Sequence, residues 1–410
     1  MSITEDELEG RLGEIEEPLI GDDIVSLDLI NDVTIDGDVA HISVAFNTPY
    51  APTEMELGSQ IREVVSDAGL DPQLSADVSH QDWYDDEIFP NIRNVVAVAS
   101  GKGGVGKTTV AANLAAGLDS LGARVGLLDA DIHGPNVPRV LPVEEEPSVT
   151  PDEERLIPGV SDGVKLMSMG FLVKNKDDPA ILRGPMVNNV MTHFLENVEW
   201  GSLDYLVVDL PPGTGDASLD LLQSLPVTGA AIVTTPQQMA VDDARKGLRL
   251  FEKHDTPLLG LVENMSTFHC PNCGDNHDPF GSEGAAKIVE DYDVSLLGKL
   301  PIHEDYGADG SEAPVVKKED SPVHEPTVQL IEELADAMAA RTARAAAAGS
   351  AAPARARRGA RQSGAAAPDR SRVFNTPGHD VVPRLVEFQT RCSGETHVHR
   401  QFPTRPLVPE

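Results

Sequence analysis

An apolar run, Asn94 to Ala99, leads directly into Gly101-Lys102-Gly103-Gly104-Val105-Gly106-Lys107-Thr108, and a helical pattern opens at Thr108 and continues to Leu121. The octapeptide fits G-x-x-x-x-G-K-[ST] in full, in the strand–loop–helix context that the motif requires. Few short segments restrict a chain so strongly. The glycines let the backbone approach a phosphate and turn several N–H groups inward. The following helix N-terminus adds a field that favours anions, on the order of 0.3–1 kcal/mol per contact. Lys107 is placed to reach the β- and γ-phosphates of ATP, the Thr108 hydroxyl to ligate Mg2+, and Thr109 to continue the nucleotide-binding turn.

Further apolar runs follow at regular intervals: RVGLLDA, VKLMSM, YLVVDLP, AAIVTTP and LLGLVENM, separated by helical patterns. Continuous apolar strands alternating with helices indicate an α/β fold, a P-loop NTPase whose mostly parallel sheet is covered by helices on both faces. This domain spans 93–340 and ends in a helix over VHEPTVQLIEELADAMAARTA. Ligands of such sheets bind beyond the carboxyl ends of the strands. Asp129 and Asp131 lie just past one strand end, and Asp209 closes another. Asp209 reads as the carboxylate that holds magnesium through water, Asp129 as part of the magnesium shell, and Asp131 as the group positioning the attacking water. The loop Pro211 to Gly215 is placed to sense the γ-phosphate.

Residues 1–81 have a different pattern: a helical opening from Thr4 to Ile15, two alternating stretches, Ile24 to Ile35 and Val39 to Phe46, a hairpin turn at Asp36-Gly37, a helix from Met55 capped by Gly69, and a last strand in LSADVSH. They form a small α+β domain, joined to the next by a linker at 82–92. The segment 341–410 holds twelve Arg and no Lys against five Asp plus Glu, and its Ala/Arg/Gly/Pro stretch indicates a disordered tail. No function is assigned to it.

The formal charge of −35, with 67 Asp plus Glu and eleven Lys, none of them before Lys102, disfavours binding to nucleic acid or to acidic membranes. It indicates a protein adapted to a salt-rich interior, a halophilic surface. The opening MSITEDELEG lacks an apolar signal core, and no apolar run reaches membrane-spanning length, so a cytoplasmic protein is expected.

Three cysteines are too few for a disulfide framework. Cys392 lies far off in the tail, whereas Cys270-Pro271-Asn272-Cys273-Gly274 spaces two thiolates for one metal centre, with Gly274 permitting the tight turn. Three completions are open. A twofold dimer would supply four thiolates, enough for a 4Fe-4S cluster or a zinc ion. His269 and His277 would complete a zinc site within one chain. The pair could also form a redox disulfide.

The loop's early lysine, Lys102, makes it similar to the deviant Walker A of the SIMIBI ATPases, which include MinD, ParA, the nitrogenase iron protein and the Mrp/ApbC carriers. That resemblance implies that Lys102 crosses a dimer interface to the partner's nucleotide, and that Asn264 recognises adenine. The set GKGGVGKTT, DADIHGPNVPRVL, KLMSMGF, ILRGPMV, DYLVVDLPPGTGD, TTPQQMAVDDARKG, ENMS with CPNCG, and GKLPI resembles specifically the Mrp/ApbC family of iron–sulfur carrier ATPases, over about 93–320. It implies a homodimer that binds a labile 4Fe-4S cluster at shared Cys270 and Cys273, dealing with assembly factors and passing the cluster to recipient apoproteins. The first 80 or so residues resemble the SufT-like domain that precedes the ATPase in many members. That domain usually carries a cysteine where this chain has Tyr50-Ala51-Pro52, which leaves docking as its implied role. Two alternatives differ in class: a ParA/MinD-like positioning switch, which would need an amphipathic membrane helix or a basic DNA-binding face, and an ATPase with a purely structural zinc.

Overall fold

The computed structural model describes residues 3–350 except 47, 49, 77–88, 90, 133, 152–154, 172–190, 192–193, 271, 283 and 308–313. The linker residues 82–88 and 90, the ILRGPMV motif, Cys392 and the tail beyond residue 350 therefore lie outside the described residues.

The first unit holds helix α1 (Glu5–Leu12), strands β1 (Ile30–Asp36) and β2 (Val39–Val44), helix α2 (Pro52–Asp67) and strand β3 (Asp71–Ala76). Thr4 and Glu7 form a reciprocal capping box at the start of α1. β1 and β2 are antiparallel and β2 and β3 parallel, in the order β1-β2-β3. Leu8, Leu12, Ile42, Leu57 and Ile61 form its core. Two expectations shift here. The alternating stretch from Ile24 is strand only from Ile30: Asp23 accepts hydrogen bonds from the Val25 and Ser26 amides and the Ser26 hydroxyl, which winds 24–28 into turns that still bury Ile24 and Leu27. The hairpin pairs Asp36 with Val39, so its two-residue loop is Gly37-Asp38, with Gly37 at φ 63.

The second unit is built on strands β4 (Ile92–Ser100), β5 (Val125–Asp129), β6 (Ser148–Val149), β7 (Leu156–Ile157), β8 (Gly159–Ser161), β9 (Val164–Ser168), β10 (Leu203–Asp209), β11 (Gly229–Thr234), β12 (Leu258–His269), β13 (Asn276–His277) and β14 (Leu296–Ile302). Among the described residues the main sheet runs β13-β12-β11-β4-β10-β5-β9-β8, with β14 also on β12. The β4, β5, β9, β10, β11, β12 and β14 pairings are parallel; β8 and β13 add antiparallel edges. The mostly parallel sheet read from the apolar runs is thus the observed one. Successive residues of the inner strands enter opposite cores: Val96 and Val98 face one cluster, Val95, Ala97 and Ala99 the other.

One face is covered by helices α3 (Lys107–Ser120), α4 (Val137–Val140) and α8 (His324–Ser350); the other by α6 (Gln238–Lys253) and α7 (Gly284–Tyr292), while α5 (Asp216–Ser224) follows β10. α8 continues past residue 340 to Ser350, where an alanine-rich sequence extends a helix at little cost. α2 lies against α8, with the Thr53 amide donating to Asp336 Oδ1 at 3.0 Å, and Ala51 is buried in the ATPase-unit core.

α3 crosses α8 closely at Gly117, where an added Cβ would meet Ile331 Cδ1 and lie 3.0 Å from Ile331 Cγ1 and 3.3 Å from Val316 Cγ1. Leaving a helix-interior glycine gains at most about 1 kcal/mol, whereas overpacking of this kind costs about 1–3 kcal/mol. Gly117→Val is therefore expected to lower the urea midpoint, with unchanged slope; an equal or higher midpoint would show that α8 yields freely.

Candidate functional site

The phosphate loop is shaped by contacts that only glycine permits. Gly104 and Gly106 adopt φ 81 and 84, and Gly106 is the N-cap of α3. A Cβ on Gly101 would strike the Asp243 carbonyl and come within 2.7 Å of the Ala244 amide nitrogen. One on Gly106 would strike Asn264 Nδ2. Gly103 is exposed and Val105 buried, and Thr109 forms the first turn of α3, its carbonyl accepting from Asn113.

Lys107 is buried and its Nζ is paired with Asp209 Oδ1, while the Thr108 hydroxyl donates to Asp209 Oδ2 at 2.7 Å. Parallel register between β10 and β5 sets Asp209 directly beside Asp129. Both carboxylates are fully buried. Asp129 accepts from the Ser168 hydroxyl at 2.8 Å, the Val137 amide at 3.2 Å and the Asp131 amide at 3.2 Å. Burial, and then the neighbouring Asp209 charge, push Asp129 up to about 7, against the pull of Ser168 and Val137. Burial also raises Asp209, opposed by the Lys107 ammonium and the Thr108 hydroxyl. Two adjacent buried carboxylates share one neighbouring ammonium, and the donors are hard oxygens. The set fits a divalent cation such as Mg2+.

Asp131 sits at the same sheet edge, its Oδ1 accepting from the Gly134 amide. Lys102 is half-exposed, its carbonyl accepting from Ser100 Oγ. The loop after β10 is clasped to the phosphate loop's own strand, the Gly213 amide donating to Ser100 O at 2.9 Å. Asn264, buried on β12, donates from Nδ2 to Val105 O at 2.9 Å. It therefore braces the phosphate loop from below, a contact that spacing does not reveal. Sequence reasoning also passed over Ser168, the Asp129 partner, although it stood inside KLMSMGF, and Glu263. The latter is buried; its Oε2 accepts from the Ala285 amide at 2.8 Å, its Oε1 is ion-paired with Lys299 Nζ at 3.0 Å, and it fixes β12 to α7 and β14.

The cysteines occupy a hairpin at the end of the strand that carries Asn264. Phe268 pairs with His277 and His269 with Asn276. The Cys270 amide donates to Asp275 O and the Gly274 amide to Cys270 O, with Gly274 at φ 75. The amides of Cys273 and then Asn272, with the Cys273 side chain, lower the Cys270 thiol from its ordinary value. His277 Nε2 lies 3.5 Å from Cys273 Sγ, and the ligand atoms of Cys270, Cys273 and His277 all fall within 4.8 Å of one another. His269 instead faces Asn276 Oδ1 at 3.1 Å. The structure thus brings one of the two candidate histidines to the thiols. No described helix is long and apolar enough to cross a membrane.

A glycine-built phosphate loop, a buried lysine and two strand-end carboxylates on a parallel sheet define a P-loop NTPase. Residues 91–337 match the model of the NUBPL iron-transfer P-loop NTPases, and residues 5–72 match that of an iron–sulfur cluster assembly protein domain. The chain belongs to this family, in agreement with its resemblance to the Mrp/ApbC carriers. An iron–sulfur cluster carrier protein of Escherichia coli is 38% identical over 299 residues, 72% of this chain and 81% of that protein. One from a Synechocystis strain is 41% identical over 309 residues, 73% and 87% of the two chains. A nucleotide-binding protein from Archaeoglobus fulgidus, solved with ADP, is 35% identical and covers 59% of this chain and 99% of its own, with a TM-score of 0.48.

Because Asp129 is raised, the folded, ligand-free protein holds a proton there that the unfolded chain releases between its ordinary value of 3.8 and about 7. The unfolded state binds fewer protons across that window, so this group's contribution to stability falls as pH rises through it. With chelator and no nucleotide, Asp129→Asn is expected to raise the urea midpoint most at pH 8, by an amount that shrinks toward pH 5. A difference independent of pH would contradict the buried-charge account.

Proposed function

We propose that the protein is an ATP-hydrolysing carrier of a labile 4Fe-4S cluster, which it holds between two protomers at Cys270 and Cys273 and passes to apoproteins. The observation that carries this reading is β12. One strand braces the phosphate loop at Asn264 and delivers Cys270 at its end, at most about 20 Å further on for an extended chain. Nucleotide and cargo sites so joined suit an ATPase that works on a metal cargo. The relatives named as iron–sulfur cluster carriers support it.

Each part of the site has its own task. The amides of Gly101 to Thr109 cradle the phosphates, and Lys107 moves from Asp209 onto the β- and γ-phosphates. Thr108, Asp209 and Asp129 would hold magnesium, which neutralises phosphate charge when bound. Asp131 orients the attacking water, Lys102 reaches the partner's nucleotide, and Asn264 reads adenine beside the loop it supports. Met239, which follows the carboxyl end of β11, and Phe268, near the carboxyl end of the adjacent strand β12, are apolar and exposed, and a second protomer would cover them there. The domains are proposed as 1–81, 82–92, 93–340 and 341–410, and the protein as cytoplasmic.

Anaerobic reconstitution with iron and sulfide should give one four-iron cluster per dimer, with its visible absorption, and Cys270→Ala should abolish it. Lys107→Ala should lower ATP turnover by about 100-fold or more. Absence of a cluster, or one indifferent to Cys270→Ala, would falsify carriage. The charge of −35 further predicts that helical signal is lost on dialysis from molar to millimolar potassium chloride; full retention would remove the salt-adapted reading.

A further inference from the structure

The cysteine hairpin contains more than a pair of thiols waiting for a second copy. Side chains alternate across paired strands. The pairing of Phe268 with His277 therefore sets His277 on the face that Cys270 continues, two residues after Phe268. The pairing of His269 with Asn276 sets His269 on the other face, where it meets Asn276 Oδ1. The tight turn through Gly274 returns Cys273 beside both. Three donors of different chemistry, two sulfurs and one imidazole nitrogen, thus converge within a single chain.

The spacing is that of a metal's edge. A tetrahedral ion with metal–sulfur bonds of about 2.3 Å and metal–nitrogen bonds of about 2.0 Å keeps its ligand atoms about 3.5–3.8 Å apart. Cys273 Sγ and His277 Nε2 already stand at 3.5 Å, and the widest separation in the group is within 4.8 Å. Cys273 and His277 are exposed, so an ion has open access.

We propose that each protomer binds one thiophilic divalent cation, of the class of Fe2+ or Zn2+, on Cys270, Cys273 and His277, with the fourth position open to water. Binding exchanges two thiol protons for the ion and uses the Nε2 lone pair; no electron is transferred, and the ion with two thiolates is neutral. Sulfur and imidazole donors select such borderline cations over Mg2+ or Ca2+. The site is complete without a partner. Only its exchange for a cluster rests on the carriage reading: a dimer offering four thiolates would release His277 when the cluster takes the ion's place.

Cobalt(II) is the probe. The full chain, anaerobic, reduced, nucleotide-free and dilute enough to be monomeric, should bind one cobalt per chain with thiolate charge-transfer and tetrahedral d–d bands. His277→Ala should weaken binding by about tenfold or more and shift the d–d bands. His269→Ala should leave both unchanged. His277→Cys should restore binding with a stronger charge-transfer band, which separates a lost ligand from a damaged hairpin. Unaltered affinity in His277→Ala, equal loss in His269→Ala, or one cobalt per two chains would each overturn the site. The reconstitution with iron and sulfide reads carriage separately: one cobalt per chain without any cluster leaves this site standing and removes carriage.

Discussion

The ion pair between Lys107 and Asp209 is the constraint around which the nucleotide site is organised. Both groups are buried, and Asp209 lies on β10, between β4 and β5. A buried pair of this kind does little for stability by itself, because desolvation offsets attraction, but losing one partner leaves a stranded charge at a cost of about 3–5 kcal/mol. The pair therefore holds its place until both partners are replaced together. A nucleotide's phosphates offer a new partner to Lys107, and a divalent cation offers one to Asp209. Asp129, set beside Asp209 by strand register and lacking an ammonium of its own, has its proton held up to about 7 by burial and by that neighbouring charge.

The strand β12 extends this logic to the sulfur end. Glu263 ties it on one side to the α7 amide at Ala285 and on the other to Lys299 of β14, so the strand cannot slide without stripping a buried carboxylate of its partners. Immediately afterwards Asn264 touches the phosphate loop, Met265 turns to φ 56, and the register against β14 shifts between Asn264 and Phe268. The strand is firmly held up to the nucleotide and re-aimed beyond it. The irregularity directs the hairpin, and with it both cysteines, in the manner of bulges next to functional sites.

The range of each interaction decided how much of this was legible. The phosphate loop, the strand-end carboxylates and the cysteine pair are encoded within a few residues, and the apolar runs determined the parallel sheet. Ser168 was silent because its partner, Asp129, lies on a neighbouring strand and only register joins them. The hold of the Asn264 amide on Val105 O was equally silent, because it crosses the fold from β12 to the phosphate loop. His269 and His277 were equivalent as composition; a two-residue strand pairing distinguishes them. The stretch from Ile24 alternated like a strand, yet Asp23 offered its backbone local hydrogen bonds before any neighbour strand could.

The first unit is joined to this machinery through α3. That helix begins at Lys107, in the phosphate loop, and ends at Ser120, two residues before Gly122. Against Gly122 lies the ring of Tyr50, with Tyr50 Cε1 3.1 Å from where a Cβ would stand. Tyr50 is held at φ 70, a conformation that costs a bulky residue on the order of 1–2 kcal/mol. Such strain persists only where surrounding contacts over-determine it, and here they do: Ala51 is buried in the ATPase core and Thr53 is bonded to Asp336 of α8. Tyr50 thus packs its ring against the turn that follows the phosphate-loop helix. The contact ties the first unit to the far end of the phosphate-loop helix, and the free thiols among the described residues, Cys270 and Cys273, both lie in the β12 hairpin.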